Sequence, residues 1–298
     1  MLYRAVGEYR HYISRLGYAV SSDGVSFRRF EKPVIEPDRS YDKWGCEDPR
    51  ITPLNGTYYI TYVALSKPPK MGGGPPRTAL ASTQDFKTYV KHGIITPEGS
   101  DSRDTVLFPK RINKQYVMLH RPYNWVKWNI WKNSGRLYTR FGEQEVELKL
   151  EEEPVFPDRP SIWIAYSRDL KNWYGYKPIM EPQHPWESWK IGAGPPPIET
   201  EEGWLLIYHG VDTDKTYRVG AALLDPDNPE KVIARTRSPL LEPEAPYETG
   251  GDVPNVVFPT GAITLNDKLY IYYGSADKTC SLATANLQEL LNYLRRET

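Results

Sequence analysis

Thr57-Tyr-Tyr-Ile-Thr-Tyr62 follows Asn55-Gly56, and this pairing of a turn dipeptide with an aromatic, β-branched run decides how the rest of the chain is read. Asn-Gly before such a run is a hairpin signal, because both residues tolerate the positive φ angles of a tight two-residue turn. The unit recurs as Gln115-Tyr-Val-Met-Leu-His120 after Asn113-Lys114, Gly203-Trp-Leu-Leu-Ile-Tyr208 after Glu201-Glu202, and Lys268-Leu-Tyr-Ile-Tyr-Tyr273 after Asn266-Asp267. A second unit follows at a distance: Ala19-Val-Ser-Ser-Asp-Gly-Val-Ser-Phe27, Ala81-Ser-Thr-Gln-Asp-Phe-Lys-Thr-Tyr89 and Ala165-Tyr-Ser-Arg-Asp-Leu-Lys-Asn-Trp173. In each, an Ala begins a strand, an Asp four residues on begins a turn, and an aromatic four residues later ends it. Ala221-Ala-Leu-Leu-Asp225 and Leu282-Ala283 are weaker echoes.

Repeats of about 60 residues, rich in strands and turns, predict an all-β fold: a five-bladed β-propeller over residues 1–298 as a single domain. Leucines 287, 290, 291 and 294 stand at helical spacing, so a short C-terminal helix is predicted from Leu287 to Arg296. A parallel α/β fold would need a helix between each pair of strands, and the pattern offers none. A β-sandwich with irregular insertions accommodates the same strands. Two irregularities interrupt the repeat. An insertion at about 123–160 is expected on the rim, where long insertions shape binding faces. Within it Trp125, Trp128 and Trp131 are spaced by three, which on a short helix would form one face. Met1-Leu-Tyr-Arg-Ala-Val6 matches the end of an inner strand, so the first blade is expected to lack its N-terminal strand or to be completed by the C-terminus. Gly72–Gly74, followed by prolines, reads as a flexible rim loop.

The 298 residues can bury a large core, and 38 Lys+Arg against 38 Asp+Glu leave no net charge to recruit nucleic acid or an anionic membrane. No apolar run approaches the roughly 20 residues of a membrane span. Cys46 and Cys280 are too few for a disulfide scaffold or a structural zinc site, and no metal site is expected. Aromatics at 13% suit a β-rich core and equally suit the flat faces of sugars.

Glu47-Asp48-Pro49-Arg50 packs three charges around a proline just before a strand. Pro49 is expected to hold Asp48 extended. At the inner end of a blade, desolvation would raise this carboxyl toward a general acid; a local ion pair between Asp48 and Arg50 is the alternative. Basic groups stand beside comparable strands elsewhere: Arg103 in Ser102-Arg-Asp104, Arg121 in His120-Arg-Pro122, Lys190 in Trp189-Lys-Ile191, and His209 in Tyr208-His-Gly210. If these strands are the innermost of their blades, the four cations converge on one channel and suit a dianion such as phosphate.

Taken together, Gly-Cys-Glu-Asp-Pro-Arg-Ile (45–51), Arg-Asp-Thr-Val-Leu-Phe-Pro (103–109), Lys-Ile-Gly-Ala-Gly-Pro-Pro-Pro-Ile (190–198), Gly-Trp-Leu-Leu-Ile-Tyr-His-Gly-Val (203–211), Pro-Asn-Val-Val-Phe-Pro (254–259) and Tyr-Tyr-Gly-Ser-Ala-Asp (272–277) resemble glycoside hydrolase family 130. The resemblance implies a five-bladed propeller and an inverting β-mannoside phosphorylase or β-mannosidase. It implies Asp48 as general acid, protonating the glycosidic oxygen through the 3-hydroxyl of the mannosyl unit. Arg103, Arg121 and His209 would bind phosphate, with Lys190 near them and Tyr217 a weaker candidate on the same side. Arg4, Asp104, Phe258 and Asp277 would hold the non-reducing mannose. Members normally carry a strand with an Asn-containing motif before the match to Leu2-Tyr3-Arg4, which this chain lacks.

The expected activity is therefore phosphorolysis of β-mannosides or β-mannooligosaccharides to α-mannose 1-phosphate, with inorganic phosphate as co-substrate and no cofactor. An inverting hydrolase needs two carboxylates, whereas a phosphorylase can replace the base with a cationic pocket for its nucleophile. A β-mannosidase of the same family and a non-catalytic sugar-binding propeller are the alternatives. A cytoplasmic location and a homo-oligomer complete the expectations; β-1,4 against β-1,2 linkage is not legible.

Overall fold

The recurring Asp of the second sequence unit does one job wherever it occurs. In the computed structural model, which describes residues 1–7, 10–68 and 74–297, Asp23 Oδ1 accepts hydrogen bonds from the amides of Val25 and Ser26, both at 2.8 Å. Asp85 does the same for Lys87 and Thr88, and Asp169 for Lys171 and Asn172. Asp225 caps Asp227 and Asn228 in the same way. A carboxylate that takes two turn amides satisfies donors that no strand can pair, which is why the turn recurs. The first unit is equally local. Asn55-Gly56, Asn113-Lys114 and Asn266-Asp267 each have two successive positive φ angles, the signature of the tight hairpin turn whose twist matches that of its strands.

Two compact units result: Met1–Asp158 with Trp163–Lys177, and Arg159–Ile162 with Pro178–Thr298. The first unit opens with an antiparallel sheet of β1 (Leu2–Val6), β2 (Ser14–Val20) and β3 (Arg28–Arg29). A four-stranded meander follows, β4 (Cys46–Leu54), β5 (Thr57–Ala64), β6 (Arg77–Thr83) and β7 (Val90–Ile94). Next come β8 (Ser102–Leu107) and β9 (Tyr116–Pro122), and then a separate three-stranded sheet of β10 (Ile130–Asn133), β11 (Arg136–Phe141) and β12 (Gln144–Leu148). β13 (Ile162–Ser167) and β14 (Trp173–Met180) complete the sheet of β8 and β9 in the order β14-β13-β9-β8. Successive sheets share cores. Leu2, Leu16, Ile60 and Ala79 pack the first against the second, and Leu54, Leu80, Leu107 and Met118 the second against the third.

In the second unit β15 (Lys190–Ala193), β16 (Ile198–Thr200), β17 (Gly203–Val211), β18 (Tyr217–Leu224) and β19 (Val232–Arg235) form one sheet. After a single helical turn, α1 (Pro246–Thr249), β20 (Val257–Leu265), β21 (Lys268–Ser275) and β22 (Thr279–Asn286) form another. Leu205, Ile207, Val257 and Ile271 join these two sheets, and the predicted terminal helix, α2 (Leu287–Arg296), lays Leu290, Leu291 and Leu294 on that core. Burial of each leucine contributes about 1.5–3 kcal/mol. Asn286 caps the helix by accepting from the Glu289 amide at 2.9 Å, while Arg295 and Arg296 stand in the last turn, where the helix dipole favours cations. Among the described residues no helix is long and apolar enough to cross a membrane.

The insertion departs from the helical expectation. Only Lys127–Asn129 make a helical turn, so the three tryptophans share no face. Trp125 is fully buried against Phe156 and Trp163, Trp128 is 76% exposed, and Trp131 lies on β10 opposite Tyr138. Three-residue spacing was compatible with a helix, but the chain here turns into a hairpin sheet that needs one tryptophan inside. Of the loop read at Gly72–Gly74, residues 72 and 73 lie outside the described residues.

Candidate active site

Two bulges on corresponding strands build the site of the first unit. Between β4 and β5 the register runs Glu47 to Val63 and then Arg50 to Thr61, so Asp48 and Pro49 together oppose one residue. Between β8 and β9 it runs Arg103 to Arg121 and then Val106 to Leu119, so Asp104 and Thr105 do the same. Both aspartates take a left-handed backbone, with φ of 50° at Asp48 and 54° at Asp104. Bulges turn side chains out of the regular alternation and are over-represented beside active sites. The extended conformation expected of Asp48 from its proline is thus overturned. The bulge sets its backbone, Pro49 has no amide to lose from the ladder, and Arg50 Nη1 donates to the Asp48 carbonyl at 3.0 Å.

Arg50 also reaches across sheets. Its Nη2 donates to Asp104 Oδ1 at 3.2 Å, while Arg121 Nε donates to Asp104 Oδ2 at 2.9 Å and its Nη2 lies 2.8 Å from the same oxygen. Asp104 and Arg50 are each 1% exposed and Arg121 is 4% exposed, so one buried carboxylate faces two buried guanidiniums. The Nη1 of Arg121 is buried and has no protein partner among the described residues. Opposite Arg121 stands Arg103, whose Nε and Nη2 donate to Asp101 at 2.9 and 3.2 Å. The Arg50–Asp104–Arg121 cluster by itself sets two guanidiniums against one carboxylate, a local excess of positive charge in a desolvated place, whereas Arg103 is balanced by Asp101 and keeps 38% of its side chain exposed. His120, beside Arg121, adds none: burial pushes it down to about 3, and its Nδ1 pairs with Ser102 Oγ at 2.8 Å.

Asp48 is half-buried. Its carboxyl is pushed up to about 6, first by desolvation and next by the negative charge of Glu47, against the opposing pull of Arg50 and Arg4. A carboxyl in that range can be protonated near neutral pH and give up its proton to a leaving group. Arg4 is close by on β1; its Nη2 lies 3.3 Å from Glu47 Oε1, and its Nε donates to Ser14 Oγ at 2.8 Å.

In the second unit, Lys190 on β15, Val211 on β17 and Tyr217 on β18 form one row across three strands, and His209 is two residues from Val211 on the same face. Lys190 Nζ donates to the Tyr217 hydroxyl at 2.8 Å. The His209 ring stacks on Tyr217 at 5.8 Å and tilts against Phe258 of β20 at 4.7 Å. Gly210 keeps this strand clear, because a Cβ there would collide with the ring of Trp186. Asp277 lies in the exposed turn between β21 and β22.

The structure thus brings together Arg4, Asp48, Asp104, Arg121 and Arg103 in the first unit, and Lys190, His209, Tyr217 and Phe258 in the second. Glu47, Ser14 and Asp101 were not assigned roles from the sequence, and Arg50 only a local ion pair with Asp48. The shared Asp at the third position of Cys46-Glu-Asp48 and Ser102-Arg-Asp104 was a usable signal for equivalent bulges.

Residues 1–296 match the family model described as beta-1,4-mannooligosaccharide phosphorylase. A 1,2-beta-oligomannan phosphorylase of Thermoanaerobacter sp. (strain X514) is 39% identical over 97% of this chain and 86% of its own length. A beta-1,4-mannooligosaccharide phosphorylase of Ruminococcus albus is 34% identical, covering 93% and 72% respectively. Among solved structures, beta-1,2-mannobiose phosphorylase from Listeria innocua in complex with beta-1,2-mannobiose superposes with a TM-score of 0.78 at 34% identity, over 96% of this chain and 70% of that one. On the family model and these relatives, the chain belongs to glycoside hydrolase family 130, as one of its glycoside phosphorylases acting on β-mannosides.

Proposed function

We propose that the protein carries out inverting phosphorolysis of β-1,2-linked mannooligosaccharides on a five-bladed propeller, releasing α-mannose 1-phosphate. The observation that carries the reading is the buried Arg50–Asp104–Arg121 cluster with its excess positive charge beside a carboxyl poised near neutrality. A phosphate oxygen attacks the anomeric carbon from the face opposite the leaving group. The glycosidic carbon–oxygen bond breaks, and the Asp48 proton passes to the departing oxygen, which leaves as a hydroxyl. By family resemblance, the proton travels through the 3-hydroxyl of the mannosyl unit. Of the two carboxylates beside Asp48, Asp104 has both oxygens engaged by guanidiniums, and Glu47 has Oε1 held by Arg4 and Ser14. With both oxygens taken, Asp104 is not arranged to activate water, which favours an anionic nucleophile supplied from outside.

Arg103 and Arg121 are the phosphate ligands of the first unit in this reading. Arg121 Nη1 still has a hydrogen to give, and a guanidinium matches two phosphate oxygens. By the family resemblance, Lys190, His209 and Tyr217 are assigned to phosphate, and Arg4, Asp104, Phe258 and Asp277 to the mannose. The β-1,2 linkage follows relatives of that name at 39 and 40% identity, against 34% for one named for β-1,4. The sequential antiparallel sheets, with cores shared between neighbours, support the propeller.

The test is release of mannose 1-phosphate from β-1,2- and β-1,4-mannobiose with and without phosphate. Product only with phosphate, and faster from the β-1,2 substrate, is expected. Free mannose at an equal rate without phosphate would assign hydrolysis instead.

A further inference from the structure

Glu47 is the immediate neighbour of Asp48, and its side chain is held from another sheet. Ser14 Oγ on β2 donates to Glu47 Oε1 at 2.8 Å, Arg4 Nη2 on β1 lies 3.3 Å from the same oxygen, and Arg4 Nε donates to Ser14 Oγ at 2.8 Å. The three side chains close a ring in which every member touches the other two. Glu47 is the last paired residue before the β4 bulge, so the ring pins that bulge to the first sheet at the point where Asp48 leaves the ladder. Both ionic members are partly buried, at 22% and 18% side-chain exposure, so the negative charge of Glu47 is incompletely screened by water.

We propose that Glu47 is a positioning residue for the acid: clamped by Arg4 and Ser14, it fixes the bulge that carries Asp48 and sets a standing negative charge beside it. The inference deepens the functional reading and rests on Asp48 being the acid. The charged groups facing Asp48 are Arg4 from β1, Glu47 and Arg50 on its own strand, and Asp104 from β8. Arg103 on β8 acts on Glu47 in turn. From β5 the nearest titratable group, the Tyr62 hydroxyl, donates to Asp42 instead. Burial is the largest cause of the raised Asp48 value, Glu47 is the next, and Arg4 opposes both. Changes at Glu47 and Arg4 must therefore move Asp48 in opposite directions.

The experiment is a carboxyl-carbon NMR titration of the full chain, with the Asp48 resonance assigned by its loss in Asp48→Asn. The wild-type midpoint is expected near 6. Glu47→Gln keeps the shape and removes the charge; it should lower the midpoint by on the order of one pH unit. The alkaline limb of the kcat/KM profile should move with it, an extra loss of about tenfold above the midpoint. Arg4→Gln should raise the midpoint. Glu47→Asp, which keeps the charge, and Ser14→Ala, which loosens the ring without altering any charge, should leave it near the wild-type value. A merely structural ring predicts lower melting temperatures in all four variants with no ordered movement of the midpoint. An unmoved midpoint in folded Glu47→Gln overturns the proposal, as does one that falls in Arg4→Gln. Should Glu47→Gln fail to fold, the Arg4→Gln shift decides alone. Wild-type protein that titrates as expected but releases free mannose in place of mannose 1-phosphate would sink the phosphorolysis reading and leave this one standing, because Asp48 would still be the acid.

Discussion

Replacing Asp48 by Asn should abolish turnover and, at neutral pH, make the protein more stable. The folded protein holds the Asp48 proton near pH 6, against an ordinary value of 3.8, with burial as the leading cause and Glu47 next. Since the folded value is the higher one, the contribution of the protonated carboxyl to stability is complete below about 3.8 and is lost as pH rises through about 6. Two decades of proton affinity at about 1.4 kcal/mol each set a ceiling near 3 kcal/mol. Asp48 keeps part of its surface in water, which reduces the expected cost of its charge at pH 7.5 to about 1–3 kcal/mol. Asn carries no such cost. For a chain of this size, Asp48→Asn should melt about 2–10 °C above wild type at pH 7.5, and the gap should close as pH falls toward about 4. Turnover should drop by about 10²–10⁴-fold, the scale of a lost general acid. Thermal melts across this pH range, with mannose 1-phosphate assays alongside, measure both effects. An Asn variant less stable than wild type at neutral pH would refute the reasoning, because the ionised carboxylate would then be making favourable contacts in the fold.

Arg121→Ala removes a charge-assisted donor from the anion, about 1.5–3 kcal/mol, so the phosphate KM should rise about 10–150-fold; initial rates against phosphate concentration check this, and unaltered saturation counts against the site. Lys91→Met leaves the fully buried Asp42 without the ammonium 2.6 Å away and should cost about 3–5 kcal/mol in urea denaturation; a loss below about 1 kcal/mol would show that the Tyr62 hydroxyl and the Arg39 amide suffice for Asp42. Trp125→Ala should lose about 3–5 kcal/mol from the core, whereas Trp128→Ala, at an exposed site, should stay within about 0.5 kcal/mol; equal effects in chemical denaturation would contradict the placement of the insertion.

What the sequence alone determined is what a few neighbouring residues decide among themselves. The Asn-led hairpin turns, the Asp that caps its own following amides, and the leucine stripe of α2 are each complete within one turn or one helix, so their signals survive without tertiary context. Asp48 and the basic residues of the site could be singled out because their order along the chain resembles that of a known family. Their geometry could not. The local rule for a residue before proline made Asp48 extended; the paired strand β5 made it a bulge with positive φ. Arg50 looked like a partner for the Asp48 carboxylate, yet it binds the Asp48 carbonyl and the carboxylate of Asp104, 54 residues away. Glu47 depends on Ser14, 33 residues upstream. The tryptophan triplet had a helical spacing and no helix, because burying Trp125 beside Phe156 and Trp163 outweighs a weak local preference. Strand register decides which distant side chains share a face, and a shift of one residue reverses every one of them. Burial then decides how strongly their charges act on one another, so the raised proton affinity of Asp48 and the cationic cluster exist only where the strands pack together.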